Sequence, residues 1–380
     1  RKTFGNCLPH PSTLIKWYGV INGKQGFLAE TLKAVKNKVQ IMASKNETLF
    51  CGLMMDEMSI KKDVHFNGVH NIGYVNMQWC IYRGGPGVWT PQRKKCRFIL
   101  LHDALPMASD ILVFMLVALN SNWKIPVAYF LINVVKSLTF DGAAPNLSMA
   151  RKLGADLEAQ TYFLHPVTND KIYIMFDAAH MIKLCGNTLG NHTVIHNKNG
   201  LKIKWQFFKE LVCLQEKTGL HFRTNIRCRH IQYFKEKMKV SLAVSILSSC
   251  NADALTYCSM SLKLPEFENC KGTIEFCRNM NYIFDLNTRN FLSKSPYKRP
   301  LSQKNIEHCN NFSISYLSSL KDKDHVPITK SIRKTGFNGL IICLKSVKQL
   351  SIDLVLSGKM KFILTYKLSQ DQLELLFSTV

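Results

Sequence analysis

Two apolar, β-rich runs that each end on a carboxylate constrain this chain most: LFCGLMMD at 49–56 and SLTFD at 137–141. Runs of this kind read as strands covered on both faces. Asp56 and Asp141 therefore sit where strands leave the core. An isolated buried carboxylate costs several kcal/mol unless a cation or hydrogen-bond donors receive it, so such acids call for partners. Between the two runs lie further strand-like segments, VHNIGYVNM, ILVFMLVAL and PVAYFLI. The stretch at 111–132 is interrupted by Asn120, Ser121, Asn122 and Lys124. Neither arm supplies the roughly 20 apolar residues of a membrane helix, and the pattern predicts a buried hairpin with no membrane partner.

The flanking segments read as helical. Ser12 can cap a helix through TLIKWYGV, NGKQG at 22–26 marks a turn, and Leu28, Leu32, Val35, Val39 and Met42 recur at helical spacing. Lys33, Lys36 and Lys38 fall off that stripe, which fits either a DNA-binding helix-turn-helix or a plain helical hairpin. Residues 78–106, with Gly-Gly-Pro-Gly and QRKKCR, match neither neighbour and read as an inserted loop. From 147 to about 300 the pattern is helical, with one strand in KIYIMFD at 171–177 and long basic helices in IKWQFFKELVCLQEKTGL and HIQYFKEKMKVSLAVSIL. FLSKSPYKRPLSQKN at 291–305 is a connector, GLIICLKSVKQL a helix, and KFILTYKL strand-like.

With 50 Lys and Arg against 26 Asp and Glu, the net charge of +24 favours a polyanionic partner, nucleic acid ahead of acidic membrane. The 13 cysteines form no CxxC pair, which argues against a zinc ribbon or a disulfide framework and fits a reducing compartment. The opening RKTFGNCLPHP lacks the apolar stretch of a signal peptide.

A third acid completes a pattern. Ser369 and Gln372 have capping-box spacing, which starts a helix with Asp371 in its first turn and Glu374 on the same side one turn on. Two aspartates at the ends of neighbouring strands plus a helical glutamate suit two Mg²⁺ ions, about 3.5–4 Å apart, that activate the attacking oxygen and stabilise the leaving oxygen in phosphodiester displacement. Each acid alone also has a structural reading: strand-end turns for Asp56 and for the Asp141-Gly142 pair, and a solvated helix face for Glu374.

GNCLPHPSTLIKWY, LMMDEMSIKKD, VFMLVALNSNWKIPVAYFLI, LTFDGAAPNLSMARKLGA, FDAAHMIKL, LSKSPYKRPLSQKN, TGFNGLIICLKSVKQL and LSQDQLELLF resemble the P-element transposase family, in its THAP-domain vertebrate branch. The resemblance covers nearly the whole chain. It implies an α/β fold: a ribonuclease-H-like mixed sheet interrupted by a large, mostly helical insertion and preceded by a helix-turn-helix-like segment. The expected domains are 1–46, the helix-turn-helix-like segment; 47–146, the first part of the core; 147–345, the insertion; and 346–380, the closing strand and helix. The resemblance further implies that the insertion binds GTP and that the protein acts in the nucleus as a homo-oligomer on transposon ends and target DNA. The family's catalytic, metal-binding carboxylates match Asp56, Asp141 and Glu374. Asp285, in IFDLN, and Asp371 match acids that the family associates with the insertion and its nucleotide-bound metal. The residues alone give no GxxxxGK[ST] loop. Asp177, His180 and Lys183 of FDAAHMIKL match a family motif to which chemistry assigns no role, with a strand-to-helix turn as the alternative.

The chain departs from the family pattern in several places. No THAP zinc finger precedes residue 1, so the family's sequence-specific DNA reader is expected to be absent. The 78–106 loop is foreign to the family. Tyr282 occupies a slot where an acidic or small polar residue is expected. Only NVVK separates PVAYFLI from SLTFDG, whereas a crossover between parallel strands needs at least about ten residues. Either the sheet pairs differently or the crossover helix is gone. The expectation is a metal-dependent transposase core for DNA cleavage and strand transfer, with impaired or lost activity. The alternative is a catalytically inactive, domesticated transposase acting as a DNA- or chromatin-binding factor.

Overall fold

The computed structural model describes residues 29–59, 65–66, 71–72, 110–127, 135–166, 168–219, 224–289 and 297–377. The chain divides into two compact units, residues 1–56 with 114–380 and residues 57–113. The expected Ser12-capped helix and the 78–106 loop lie outside the described residues. Of the proposed helix-turn-helix, α1 (Ala29–Ala43) is described. Its apolar stripe is real: Val35 and Met42 are buried while Lys33 and Lys36 face solvent.

The strands in chain order are β1 (Cys51–Ser59), the short β2 (His65–Phe66) and β3 (Asn71–Ile72), β4 (Asp110–Ala118), β5 (Lys124–Val127), β6 (Val135–Phe140), β7 (Tyr162–Leu164) and β8 (Lys171–Phe176). In the second unit β2 and β3 pair antiparallel. The main sheet has the order β5-β4-β1-β6-β8-β7. β4 and β5 form the expected antiparallel hairpin, and Pro126 is tolerated because β5 is an edge strand. The Leu119 amide donates to the Phe50 carbonyl at 2.8 Å, tying the end of β4 to the start of β1.

β1 pairs parallel with β6, and β6 parallel with β8. The sheet therefore keeps the parallel pairing that the short NVVK link put in question; residues 128–134 lie outside the described residues. The sheet also continues past residue 146 through β7 and β8. The boundary expected at 147 therefore falls between strands of this sheet. KIYIMF joins because its alternate residues fill both faces, Ile172, Ile174 and Phe176 one core and Tyr173 and Met175 another. Phe140 and Phe176 meet edge to face at 5.3 Å, locking β6 to β8.

Helices follow: α2 (Ala144–Lys152), α3 (Ala178–His192), α4 (Gln206–Thr218), α5 (Cys228–Ile231), α6 (Val240–Ile246), α7 (Ser249–Thr256), α8 (Lys271–Asn287), α9 (Ile306–Ser319), α10 (Thr335–Ser351) and α11 (Asp371–Phe377). A small hairpin, β9 (Val194–His196) with β10 (Lys202–Lys204), lies between α3 and α4. Trp205, Phe208, Leu211, Phe276, Cys277 and Met280 are buried within this helical region. α10 packs against both α3 and β8. Gly142 is needed for space rather than as a turn. A Cβ there would lie 2.9 Å from the Thr335 side chain and 3.0 Å from that of Met181.

Three local expectations are corrected. The long helix expected in HIQYFKEKMKVSLAVSIL is broken into α5, a 3-10 turn at Tyr233–Lys235 and α6. The lysine-rich middle offers no apolar stripe to bury, and Met238 is exposed. KFILTYKL is not a strand: Ile363 makes one bridge to Leu301, and Thr365–Leu368 is a 3-10 turn. The buried Lys367 ammonium donates to the Ala118 and Ser121 carbonyls, fastening that turn to the β4–β5 hairpin. The Ser369 hydroxyl turns back to the Tyr366 carbonyl instead of capping α11. Tyr282, unexpected in its slot, stacks on Tyr297 with ring centres 4.6 Å apart.

Candidate active site

Strand register builds the site. Met54 of β1 is opposite Thr139 of β6, and Phe140 of β6 is opposite Phe176 of β8. Counting onward, Asp56, Asp141 and Asp177 stand level on three adjacent parallel strands; Asp141 and Asp177 directly follow β6 and β8, whereas β1, which the sequence led us to expect to end on Asp56, runs on to Ser59. Side chains alternate faces along a strand, so all three share the face of Tyr173 and Met175. Neighbouring strands lie about 4.8 Å apart, which leaves these acids side by side. The register thus sets Asp56 beside Asp141.

Asp177 is the acid that sequence reasoning left without a role. Its signal was present: KIYIMFD repeats the pattern of an apolar run ending on aspartate. The carboxylate is buried and caps α3 by accepting from the His180 amide at 2.7 Å. Its other oxygen accepts from the Gln370 amide at 3.1 Å. Burial pushes its pKa up to about 6, opposed by those two amides and reinforced by the Asp371 and Glu374 carboxylates. Asp141 is half-buried and accepts from the Ala143 amide at 3.0 Å and the Asn146 side chain at 2.7 Å.

Gln370 positions the third element. Beside its amide bond to Asp177, its side chain donates to the Met55 carbonyl at 2.6 Å, next to Asp56. The Gln370 carbonyl accepts the Leu373 and Glu374 amides, opening α11. Leu373 is fully buried, whereas Glu374 is exposed and Asp371 half-buried. The Asp141, Asp177 and Glu374 carboxylates all act on the ammonium of Lys183. The four acids thus share one end of the sheet.

They do not share a point. Among the described residues, no three Asp, Glu, His or Cys side chains converge closely enough to hold a metal ion as they stand. Asp285 lies apart in α8, paired with Lys298 at 3.0 Å and bonded by Asn281 at 3.1 Å. The end of α8 is fastened to the stretch ahead of Asp371 through Thr365, which receives the Arg289 amide and donates to the Leu286 carbonyl.

Two models of one family match the chain: the TNP-like RNase H N-terminal domain over residues 23–137 and the TNP-like GTP-binding insertion domain over 179–300. Human DNA transposase THAP9 is 28% identical over 97% of this chain and 42% of its own length. The Drosophila melanogaster transposable element P transposase is 27% identical over 99% of this chain and 47% of its own. The chain spans less than half the length of these relatives. Among solved structures, the Drosophila P element transposase strand transfer complex superposes with a TM-score of 0.73 at 21% identity, covering 98% of this chain and 79% of that one. That likeness carries the ribonuclease-H-like fold. With both family models together spanning more than half of its residues, the chain belongs to the P-element-like transposase family.

Proposed function

We propose that this chain is the core of a DNA transposase that cuts and joins phosphodiester bonds with divalent metal, acting in the nucleus as a homo-oligomer. One observation carries the reading: Asp56, Asp141 and Asp177 stand in register on adjacent parallel strands, with the Glu374 helix pinned by Gln370 to Met55 of β1 and to Asp177 after β8. The donor set is hard carboxylate oxygen, which fits Mg²⁺. Asp56, Asp141 and Glu374 would hold the ions, which would supply activation of the attacking oxygen and stabilisation of the leaving one. Asp177, already engaged by two amides, orients α3 and α11. The insertion takes a guanine nucleotide, supported by the family model over 179–300; Asp285 and Asp371 are the acids we assign to its metal. As a working division, the sheet portion runs to Phe176 and the insertion follows it.

A duplex with a free 3′-hydroxyl, a supercoiled plasmid and Mg²⁺ test this reading. Wild-type protein joins the duplex to the plasmid, and Asp141→Asn or Glu374→Gln lowers joined product by at least about 100-fold at unchanged melting temperature. Equal background from all three proteins overturns it. A second reading, a DNA-binding protein without catalysis, is supported by the net charge of +24, which favours a polyanionic partner whether or not the acids catalyse. It predicts salt-dependent DNA binding indifferent to both substitutions.

A further inference from the structure

α3 starts on Asp177 and carries His180 and Lys183 at three-residue spacing along one face. Lys183 is 3% exposed. Its Nζ lies 3.3 Å from His180 Nδ1 and 4.0 Å from the Met238 sulfur. Among the described residues, no carboxylate comes within 4.0 Å of it. An ammonium offers three donors and no acceptor. With charged Lys183, His180 Nδ1 is therefore the acceptor, its proton sits on Nε2, and one nitrogen–hydrogen bond of the lysine is spent in a normal contact.

A buried lysine would be cheaper as methionine if packing were its only task, because the charge loses water. Burial lowers its pKa, while Asp141, Asp177 and Glu374 pull it back towards the charged form. The same acids make the site hostile to a phosphate, and a cation among them offsets that repulsion. A compact ammonium on a flexible stem is well suited to a phosphate oxygen.

We propose that the Lys183 ammonium contacts a non-bridging phosphate oxygen of the DNA strand at the acidic end of the sheet, as a catalytic residue in addition to the carboxylates. This deepens the transposase reading and rests on it. The test uses the full chain with a duplex bearing a free 3′-hydroxyl in Ca²⁺, with affinity measured across a salt series. Lys183→Met lowers the slope of log affinity against log salt by about one, and Lys183→Arg restores it. An unchanged slope in a Lys183→Met protein that melts like wild type overturns the proposal. If that variant does not fold, methylphosphonates beside the 3′-hydroxyl replace it. They lower the wild-type slope by about one, and no change overturns the contact. Joining assays on Asp141→Asn separate the two claims: indifference there sinks the transposase reading, whereas an insensitive slope sinks only the role of Lys183.

Discussion

Asp177 and Asp285 are both buried aspartates raised above the ordinary carboxylate range by burial, yet the protein treats them differently. Asp285 has a lysine at 3.0 Å. The charge is answered inside the chain. Asp177 receives two backbone amides, and two further carboxylates act on it. Amides orient an anion without neutralising it, and the Lys183 ammonium is shared among Asp141, Asp177 and Glu374, so we expect an outside cation to gain most at the strand ends.

The largest expected effect tests that contrast directly. Mn²⁺ or Mg²⁺ at a thousandfold excess over its Kd should raise unfolding free energy by about 4 kcal/mol. Asp141→Asn or Glu374→Gln should abolish most of that gain, and Asp285→Asn should leave it. Chemical denaturation with and without metal reads the difference. A gain lost only with Asp285→Asn would reverse the comparison.

Next in size is a pH effect in metal-free protein. With a folded pKa of about 6 against 3.8, the folded state binds the Asp177 proton more tightly than the unfolded chain. That contribution is fully present below about pH 4. It is lost as pH rises through 6, costing roughly 2–3 kcal/mol. Asp177→Asn keeps a capping side chain and should flatten this part of the stability profile, read from denaturation midpoints between pH 4 and 7. An unchanged profile would mean that Asp177 is not held as a crowded acid.

Gln370→Ala should be smaller. It removes the bond to the Met55 carbonyl and frees one side of α11, costing about 1–2 kcal/mol. Joining activity should fall further than stability, because Glu374 then loses its fixed approach to the strand ends. Loss of stability without loss of joining would argue that α11 does not serve the site.

How much of this could be read in advance follows from how far each pattern reaches. Apolar runs ending on Asp56 and Asp141 are local features, and the sheet uses both. Asp177 carries the same local signature, but its meaning depends on β8 pairing with β6, a long-range register that no local pattern reveals. KFILTYKL misled because a short, mostly buried segment looks apolar whether it is strand or turn. The Ser369 spacing suggested a cap, yet the hydroxyl bonds to Tyr366 and the fixing of α11 falls to Gln370, through a contact with Met55 far away in the chain.

The smallest effect concerns the other half of the comparison. Lys298 is 41% exposed on its side chain while Asp285 is 8% exposed, so solvent screens the pair, and Lys298→Met should cost no more than about 1 kcal/mol. Its consequence for binding is the sharper test. If Asp285 is a ligand for a nucleotide-bound metal, Lys298 competes with that metal for the same carboxylate, and its removal should tighten binding of a fluorescent GTP analogue in Mg²⁺. Weaker binding would instead make Lys298 a direct nucleotide contact. No change would leave Asp285 as a purely internal ion pair, with the nucleotide held elsewhere in the insertion.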